Sequence, residues 1–273
     1  MASGDNEHRM LFDLRGKRRN VVKVVYATLA VLMGLSLFLV IGGFNIAELF
    51  QSNNAAGEAA EQFEEQAGRI EAKLAKDPNN PDLLVALTRA QINTGNSLVT
   101  FDDSGQQVMT REAFQEYQKA NDTWIKYLKA AEEPSVGLAL LVAPTMFRMA
   151  ENSRSLFEAR TNATGATEAQ KIVAEQRPSI NAFSTLAYYT YFTGDFKAAE
   201  EAEEKAESFA KGKAEKESIQ KQLSEISQSA RQFDKEVKKA EQQAKAGGGG
   251  AGGEVPLEEG QSPLGGGLSG LGE

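Results

Sequence analysis

Residues 183–199, which read FSTLAYYTYFTGDFKAA, decide the fold predicted for this chain. Two small residues, Ala187 and Ala199, lie on either side of Gly194, and five of the eleven positions between them are aromatic. Glycine adopts left-handed backbone without steric cost, so Gly194 is suited to a tight reversal of the chain. The segment therefore predicts two antiparallel helices that approach closely at their alanines.

This segment also resembles a tetratricopeptide repeat (TPR), a helix-turn-helix unit that stacks into solenoids. Pro178 precedes it, and Tyr191 lies one place past the usual aromatic position. The positions that match the TPR pattern in register are Phe183, Leu186, Ala187, Gly194, Phe196, Ala199 and Ala206. The resemblance extends, with weaker matches, over residues 57–210.

A second partial copy begins near Pro78 and contains Leu84, Leu87 and Gly95. Residues 97–110 interrupt it, with a turn expected at 102–105, and its second helix is predicted at 111–132. An earlier apolar stripe predicts a helix over 58–76.

A third, poorer copy contains Leu140, Ala143 and Phe147. Pro144 stands at a small-residue position, where it is expected to kink or shorten its helix. Residues 162–165, Asn-Ala-Thr-Gly, are expected to form a turn that leads into a helix over 168–176.

In TPR proteins, the first helix of each pair lines a concave groove that binds peptides. The resemblance therefore implies protein-binding groove candidates at Asp82, Arg89, Asn93, Arg148, Asn181, Tyr188 and Tyr191. Core packing is equally open for Tyr188 and is favoured for Tyr191. Arg89 and Arg148 could clamp a peptide carboxylate, although solvated side chains are favoured.

Residues 213–246 predict a long amphipathic helix. Its apolar positions alternate by four and three residues: Ile219, Leu223, Ile226, Ala230, Phe233, Val237, Ala240 and Ala244. This stripe can cap the last face of the solenoid, which is favoured, or form a coiled coil. The glycine-rich residues 247–273 predict a disordered tail. Its leucines, Leu264 among them, are either part of a spacer, which is favoured, or a tethered docking motif.

Residues 24–47 contain no charged side chain and predict a single transmembrane helix. Residues 1–23 carry six Lys/Arg and three Asp/Glu, so this basic tail is expected in the cytoplasm and the rest of the chain outside it. A cleaved signal peptide is the alternative, but the apolar run is longer than signal peptides need. The expected fold is thus all-α: a transmembrane helix, a short TPR-like α-solenoid, a long amphipathic helix and a disordered tail.

Composition narrows the function classes. The chain has no cysteine, and its one histidine, His8, precedes the apolar run, so thiol chemistry, Cys/His zinc sites and histidine triads are excluded from the body. The net charge of −8 argues against nucleic-acid binding. Neither an enzyme nor a cofactor or metal site is expected.

The expected function is that of a non-catalytic scaffold tethered to the bacterial plasma membrane, with its repeats on the extracytoplasmic side. This plan is similar to that of the TPR proteins that accompany the bacterial Sec translocon. That similarity implies translocon subunits, chaperones or exported chains as partners. The alternative is a structural subunit of a stable membrane-associated complex. The oligomeric state is left open.

Overall fold

The computed structural model describes residues 53–102, 105, 107–246 and 262–264, and those of them from residue 57 onward belong to one compact unit. The described part contains eight helices and one two-stranded hairpin. The helices are α1 (Asn53–Leu74), α2 (Pro81–Ser97), α3 (Arg111–Ala130), α4 (Val136–Glu151), α5 (Leu156–Gln176), α6 (Ile180–Tyr191), α7 (Phe196–Ser208) and α8 (Lys213–Ala246). The all-α class is confirmed.

Most of these helices begin at a side chain that accepts a hydrogen bond from the first free backbone N–H groups. Such caps stabilise a helix by about 1 kcal/mol each, because those N–H groups have no partner inside the helix. Capping residues in the described part are Asn80, Thr110, Ser135, Ser155, Ser179 and Asp195. The short connections between helices are therefore fixed by local chemistry.

Consecutive helices pack in pairs: α2 with α3, α4 with α5, and α6 with α7. Alanines on the facing surfaces, such as Ala143 with Ala163 and Ala187 with Ala199, are fully buried and belong to the main hydrophobic core. Side chains this small let the helix backbones approach closely. The helix pair predicted from residues 183–199 is confirmed, and Gly194 takes the expected left-handed backbone, with φ +88°.

Two expectations for the middle pair are wrong. The α4 helix continues to Glu151, so the shortening expected at Pro144 is wrong, while the kink expected there stays a prediction. Residues 162–165 are not a turn, because α5 runs through them without interruption. A side chain added at Gly165 would collide with the end of Met146. Gly165 therefore allows close packing of α5 on α4 and does not reverse the chain.

The interruption at 97–110 contains an antiparallel hairpin of β1 (Thr100–Phe101) and β2 (Gln107–Val108). Gly105, with φ +80°, lies between the strands. The expected turn is present, but the strands were not predicted, since two residues are too few for an alternating pattern to be read.

The α8 helix buries its apolar stripe against α5, α6 and α7. Residues of the stripe from Ile219 to Ala240 are buried in this single chain. The stripe is therefore covered within its own chain, as the favoured interpretation predicts.

None of the helices between residues 53 and 246 is long and apolar enough to cross a bilayer. The span predicted at 24–47 and the basic tail at 1–23 lie outside the described residues, as do 247–261 and 265–273.

Replacing Gly194 by alanine is expected to destabilise the chain by about 1–2 kcal/mol, because its positive φ disfavours any Cβ. The new carbon would also meet an oxygen of Asp234 at 3.0 Å. Gly68, within α1, has no such neighbour. Gly68→Ala is the matched control, and it should stabilise the chain by up to ~1 kcal/mol through helix propensity. Urea denaturation measures both, and equal effects would contradict the role given to Gly194.

Candidate functional site

The predicted groove residues are not equally available to a ligand. Asp82, Arg89, Asn93 and Asn181 are exposed on α2 and α6. Arg148, near the end of α4, and Tyr188, on α6, are half-buried. These two flank a group of aromatic side chains and are the candidates that the structure places near a concentrated set of functional groups.

Tyr191 belongs to the interior, so its prediction as a groove residue is wrong. Its side chain is 2% exposed, and its hydroxyl donates a hydrogen bond of 2.7 Å to a carboxylate oxygen of Glu203. Burial raises the pKa of Tyr191, and the Glu203 carboxylate raises it further. Tyr191 therefore joins α6 to α7, in agreement with the packing role favoured for it.

Arg148 lies over an aromatic ring, with its guanidinium carbon 5.7 Å from the centre of the Tyr117 ring. Tyr117 is held in turn by a 2.7 Å hydrogen bond from its hydroxyl to Asn96. A cation over a ring face is favourable by about 0.5–1 kcal/mol at partly exposed sites. Arg148 is thus positioned by α3, and Arg89 is exposed one helix away on α2.

Phe147, the residue before Arg148 on α4, packs against aromatic rings of α6. Phe147 stacks on Tyr189 with ring centres 4.3 Å apart and contacts Tyr188 at 4.7 Å. Phe192 completes the cluster, 5.8 Å from both Phe147 and Tyr188. We call Phe147, Tyr188, Tyr189 and Phe192 the aromatic cluster. It rigidly fixes the two tyrosines in the surface between α4 and α6.

Glu151, the last residue of α4, adds a carboxylate to this region. Burial raises its pKa, and the positive charge of Arg148 partly opposes the rise. Burial also raises the pKa of Tyr188 and of Tyr189, and the Glu151 carboxylate adds to both effects. Among the described residues, the fully buried side-chain polar atoms without a hydrogen-bond partner are Arg160 Nε and Thr167 Oγ1, and the polar atoms of Glu151, Tyr188 and Tyr189 are not among them. These three polar groups are therefore partly desolvated but not sealed in the interior.

A short segment of the C-terminal tail lies at the same end of α4. The Ser262 hydroxyl donates a 3.1 Å hydrogen bond to the backbone carbonyl of Glu151. Pro263 is buried, and Leu264 is 2% exposed and belongs to the main hydrophobic core. The expectation of disorder over the whole of 247–273 is wrong for these three residues, and the docking motif proposed for Leu264 fits better than a spacer.

Sequence reasoning missed Glu151 and Tyr189 as site residues. Glu151 closes an ordinary amphipathic helix, and nothing in its neighbourhood along the chain distinguishes it from solvated glutamates. The run Tyr188-Tyr189 was the available signal for Tyr189, since both tyrosines pack on Phe147 in the same core.

Replacing Glu151 by glutamine should stabilise the chain at neutral pH. Because the folded state raises the pKa of Glu151, its proton is held more tightly in the folded than in the unfolded chain. Stability conferred by the protonated form is present below the usual value of 4.5 and is lost as pH rises through the higher folded pKa. The Glu151→Gln variant would keep a neutral side chain at every pH.

Urea denaturation at pH 4 and pH 7 tests this, with the exposed Glu132→Gln as the control. The free energy of unfolding of Glu151→Gln relative to wild type should increase from pH 4 to pH 7. The same difference for Glu132→Gln should not change. A loss of stability at pH 7 would mean that the attraction to Arg148 outweighs burial.

A cleft of about 280 Å³ lies elsewhere, between the start of α3 and the α4–α5 connection. Its lining includes Arg111, Arg154 and one carboxylate, Glu158, which already accepts a hydrogen bond from the Arg154 backbone. Within the described part of the chain, no group of three acidic or histidine side chains could hold a metal ion. The region around Glu151 is therefore the stronger candidate for binding.

No protein-family model, curated protein or solved structure matches this chain.

Proposed function

We propose that this protein is a non-catalytic scaffold that binds segments of other proteins on the surface formed by the end of α4 and by α6. We call this the α4–α6 surface; it comprises the aromatic cluster, Arg148 and Glu151. The observation that carries the proposal is a half-buried Tyr188 that packs with Phe147 and Tyr189 close to the charged side chains of Arg148 and Glu151.

Half-buried polar groups that still reach solvent can exchange water for the polar groups of a partner, and they avoid the cost of about 1–3 kcal/mol that an unpaired, fully buried group carries. A backbone or side chain of a bound peptide offers both the donors that a carboxylate needs and the acceptors that tyrosine hydroxyls need. Rigid aromatic side chains with polar tips are also the residues that contribute most to protein interfaces. The α4–α6 surface combines these features, with Arg148 at its edge.

The arrangement of helices supports the TPR interpretation. Three helix pairs follow one another along the chain, and the first helices of the first two pairs, α2 and α4, contact each other. The α4–α6 surface is contributed by the first helices of the second and third pairs, which are the helices expected to line a TPR groove. We infer that the described body is a divergent TPR solenoid capped by α8.

The tether belongs to the same proposal. An uncharged run at 24–47, preceded by basic residues, would anchor the chain in a bacterial plasma membrane with residues 1–23 in the cytoplasm. Anchoring raises the local concentration of the body for partners that emerge at the membrane. Translocon subunits, chaperones and exported chains are the partners we propose.

A structural subunit, the alternative, would leave the apolar stripe of α8 free for assembly. Leu223, Phe233 and Val237 are instead buried against the body, which favours the scaffold.

In-cell photo-crosslinking tests the function. A photoreactive phenylalanine at position 188 should form adducts with exported chains, chaperones or translocon subunits, identified by mass spectrometry. Position 125 is the control, because Ile125 is exposed on α3, the second helix of its pair. Identical adducts from both positions, or a single stoichiometric partner at 188, would contradict the proposal.

A further inference from the structure

Each of the last four backbone carbonyls of α4 accepts a hydrogen bond from outside the helix. The last four carbonyls of a helix lack partners within it. Asn152 and Ser153 donate to the carbonyls of Arg148, Met149 and Ala150. The fourth carbonyl, that of Glu151, accepts its hydrogen bond from Ser262 in the tail. A residue 111 positions away along the sequence therefore completes this helix end.

The next two residues of the tail add apolar burial at the same place. Leu264 is two residues beyond Ser262, a distance of at most about 7 Å, so it enters the core close to the end of α4. Complete burial of a leucine side chain contributes about 1.5–3 kcal/mol. Pro263 lies between Ser262 and Leu264 and has no backbone N–H that would need a hydrogen-bond acceptor. Because its φ is already restricted, the segment loses little conformational entropy on docking.

We propose that Ser262, Pro263 and Leu264 form an intramolecular ligand that occupies one end of the α4–α6 surface until a partner replaces it. The inference rests on the proposed function, since it assigns a resident occupant to the same binding surface. It also gives the chemistry of the partner: an extended segment with a small hydroxyl residue, a proline and an aliphatic residue in succession.

Each element of that chemistry has a complement on the body. The carbonyl end of α4 carries partial negative charge and needs a donor, which a serine or threonine hydroxyl supplies. The core position filled by Leu264 accepts a branched aliphatic side chain. A carboxylate in place of the hydroxyl would face the helix terminus and Glu151, both unfavourable for negative charge.

The proposal is tested with the purified full chain and a fluorescent peptide of residues 259–267, EGQSPLGGG. A tethered segment competes at an effective concentration in the millimolar range. Wild-type protein should therefore bind the peptide weakly, and Leu264→Asp should bind it about tenfold more tightly. Leu268→Asp, a matched change in the same tail, should behave as wild type. The same peptide with aspartate for leucine should not bind.

Ser262→Asp is the second variant, with Ser269→Asp as its control, and thermal unfolding checks that each protein is folded. Ser262→Asp should also strengthen peptide binding, and both releasing variants should increase crosslinking from position 188.

Absence of peptide binding to both variants, or equal binding to all proteins, would overturn the inference. Crosslinks to client proteins that persist in that case would leave the proposed function standing. Peptide binding without any intermolecular crosslink would overturn the proposed function and with it the partner assigned here.

Discussion

Leu223→Asp is expected to abolish cooperative folding of the body. Leu223 is 2% exposed in the centre of the α8 stripe, against the preceding helix pairs. The substitution removes about 1.5–3 kcal/mol of apolar burial and places a carboxylate where it has no partner, which costs several kcal/mol more. The sum is comparable to the whole stability of an ordinary domain, about 5–15 kcal/mol.

Gln222→Asp is the matched control, because Gln222 is exposed on the same helix and its replacement adds the same charge. Circular dichroism and size-exclusion chromatography measure the outcome. Leu223→Asp should lose its thermal transition, and Gln222→Asp should keep it. A folded Leu223→Asp protein of smaller oligomeric state would mean that the stripe joins separate chains, and the capping role would then be wrong.

The second large loss of stability is expected when the ion pair between α5 and α8 is broken. Arg160 donates a 2.6 Å hydrogen bond to Asp234, whose other oxygen is 2.7 Å from Lys238. The Arg160 and Asp234 side chains are only 22% and 10% exposed. Asp234→Ala would leave the Arg160 charge with the weaker contact to Glu241, whose carboxylate is 3.9 Å away and 43% exposed. Loss of one partner from a buried pair costs up to about 3–5 kcal/mol. The melting temperature should fall by on the order of 10 °C.

Two controls separate charge from packing. Arg160→Met combined with Asp234→Leu should recover most of the loss, because the Arg160 charge is removed together with its partner. Glu201→Ala breaks the pair with Lys197, and these two side chains are 61% and 88% exposed, so the change should cost less than about 1 kcal/mol. Equal losses of stability for Asp234→Ala and Glu201→Ala would show that the buried α5–α8 ion pair contributes no more than an exposed one.

The stabilisation provided by the Arg160–Asp234 ion pair should depend on pH. Burial alone would raise the pKa of Asp234, but hydrogen bonds from Lys238 and Arg160, and their positive charges, lower it overall. The stabilisation is therefore present above the usual value of 3.8 and is lost as pH falls through the lower folded pKa. The difference in stability between wild type and Asp234→Ala should narrow below about pH 4.

The sequence predicted the helical class and the α6–α7 pair because those features depend on residues near one another in the chain. Spacing of Ala187, Gly194 and Ala199 is local information. Gly165 was misread for the same reason: Asn-Ala-Thr-Gly is typical of a turn, and only the contact with Met146, a residue of the neighbouring helix, explains a glycine there.

The candidate site was predicted only in part. Arg148 and Tyr188 follow from their positions on the first helices of two pairs. Glu151 and the docked tail could not be predicted, because the hydrogen bond from Ser262 to Glu151 joins residues 111 apart with no repeating pattern between them. Burial of Tyr191 also depends on Glu203, in the next helix.

The α1 helix is held by a hydrophobic cluster of its own. Ala67 and Ile70 pack on Leu87 and Ala90 of α2, and Leu74, at the end of α1, also packs against the main core that unites the later helices. A helix attached through so few side chains can detach while the rest of the body stays folded. Amide hydrogens of α1 should therefore exchange with deuterium faster than those of α5, and the body can lose the α1 helix while its main core stays folded.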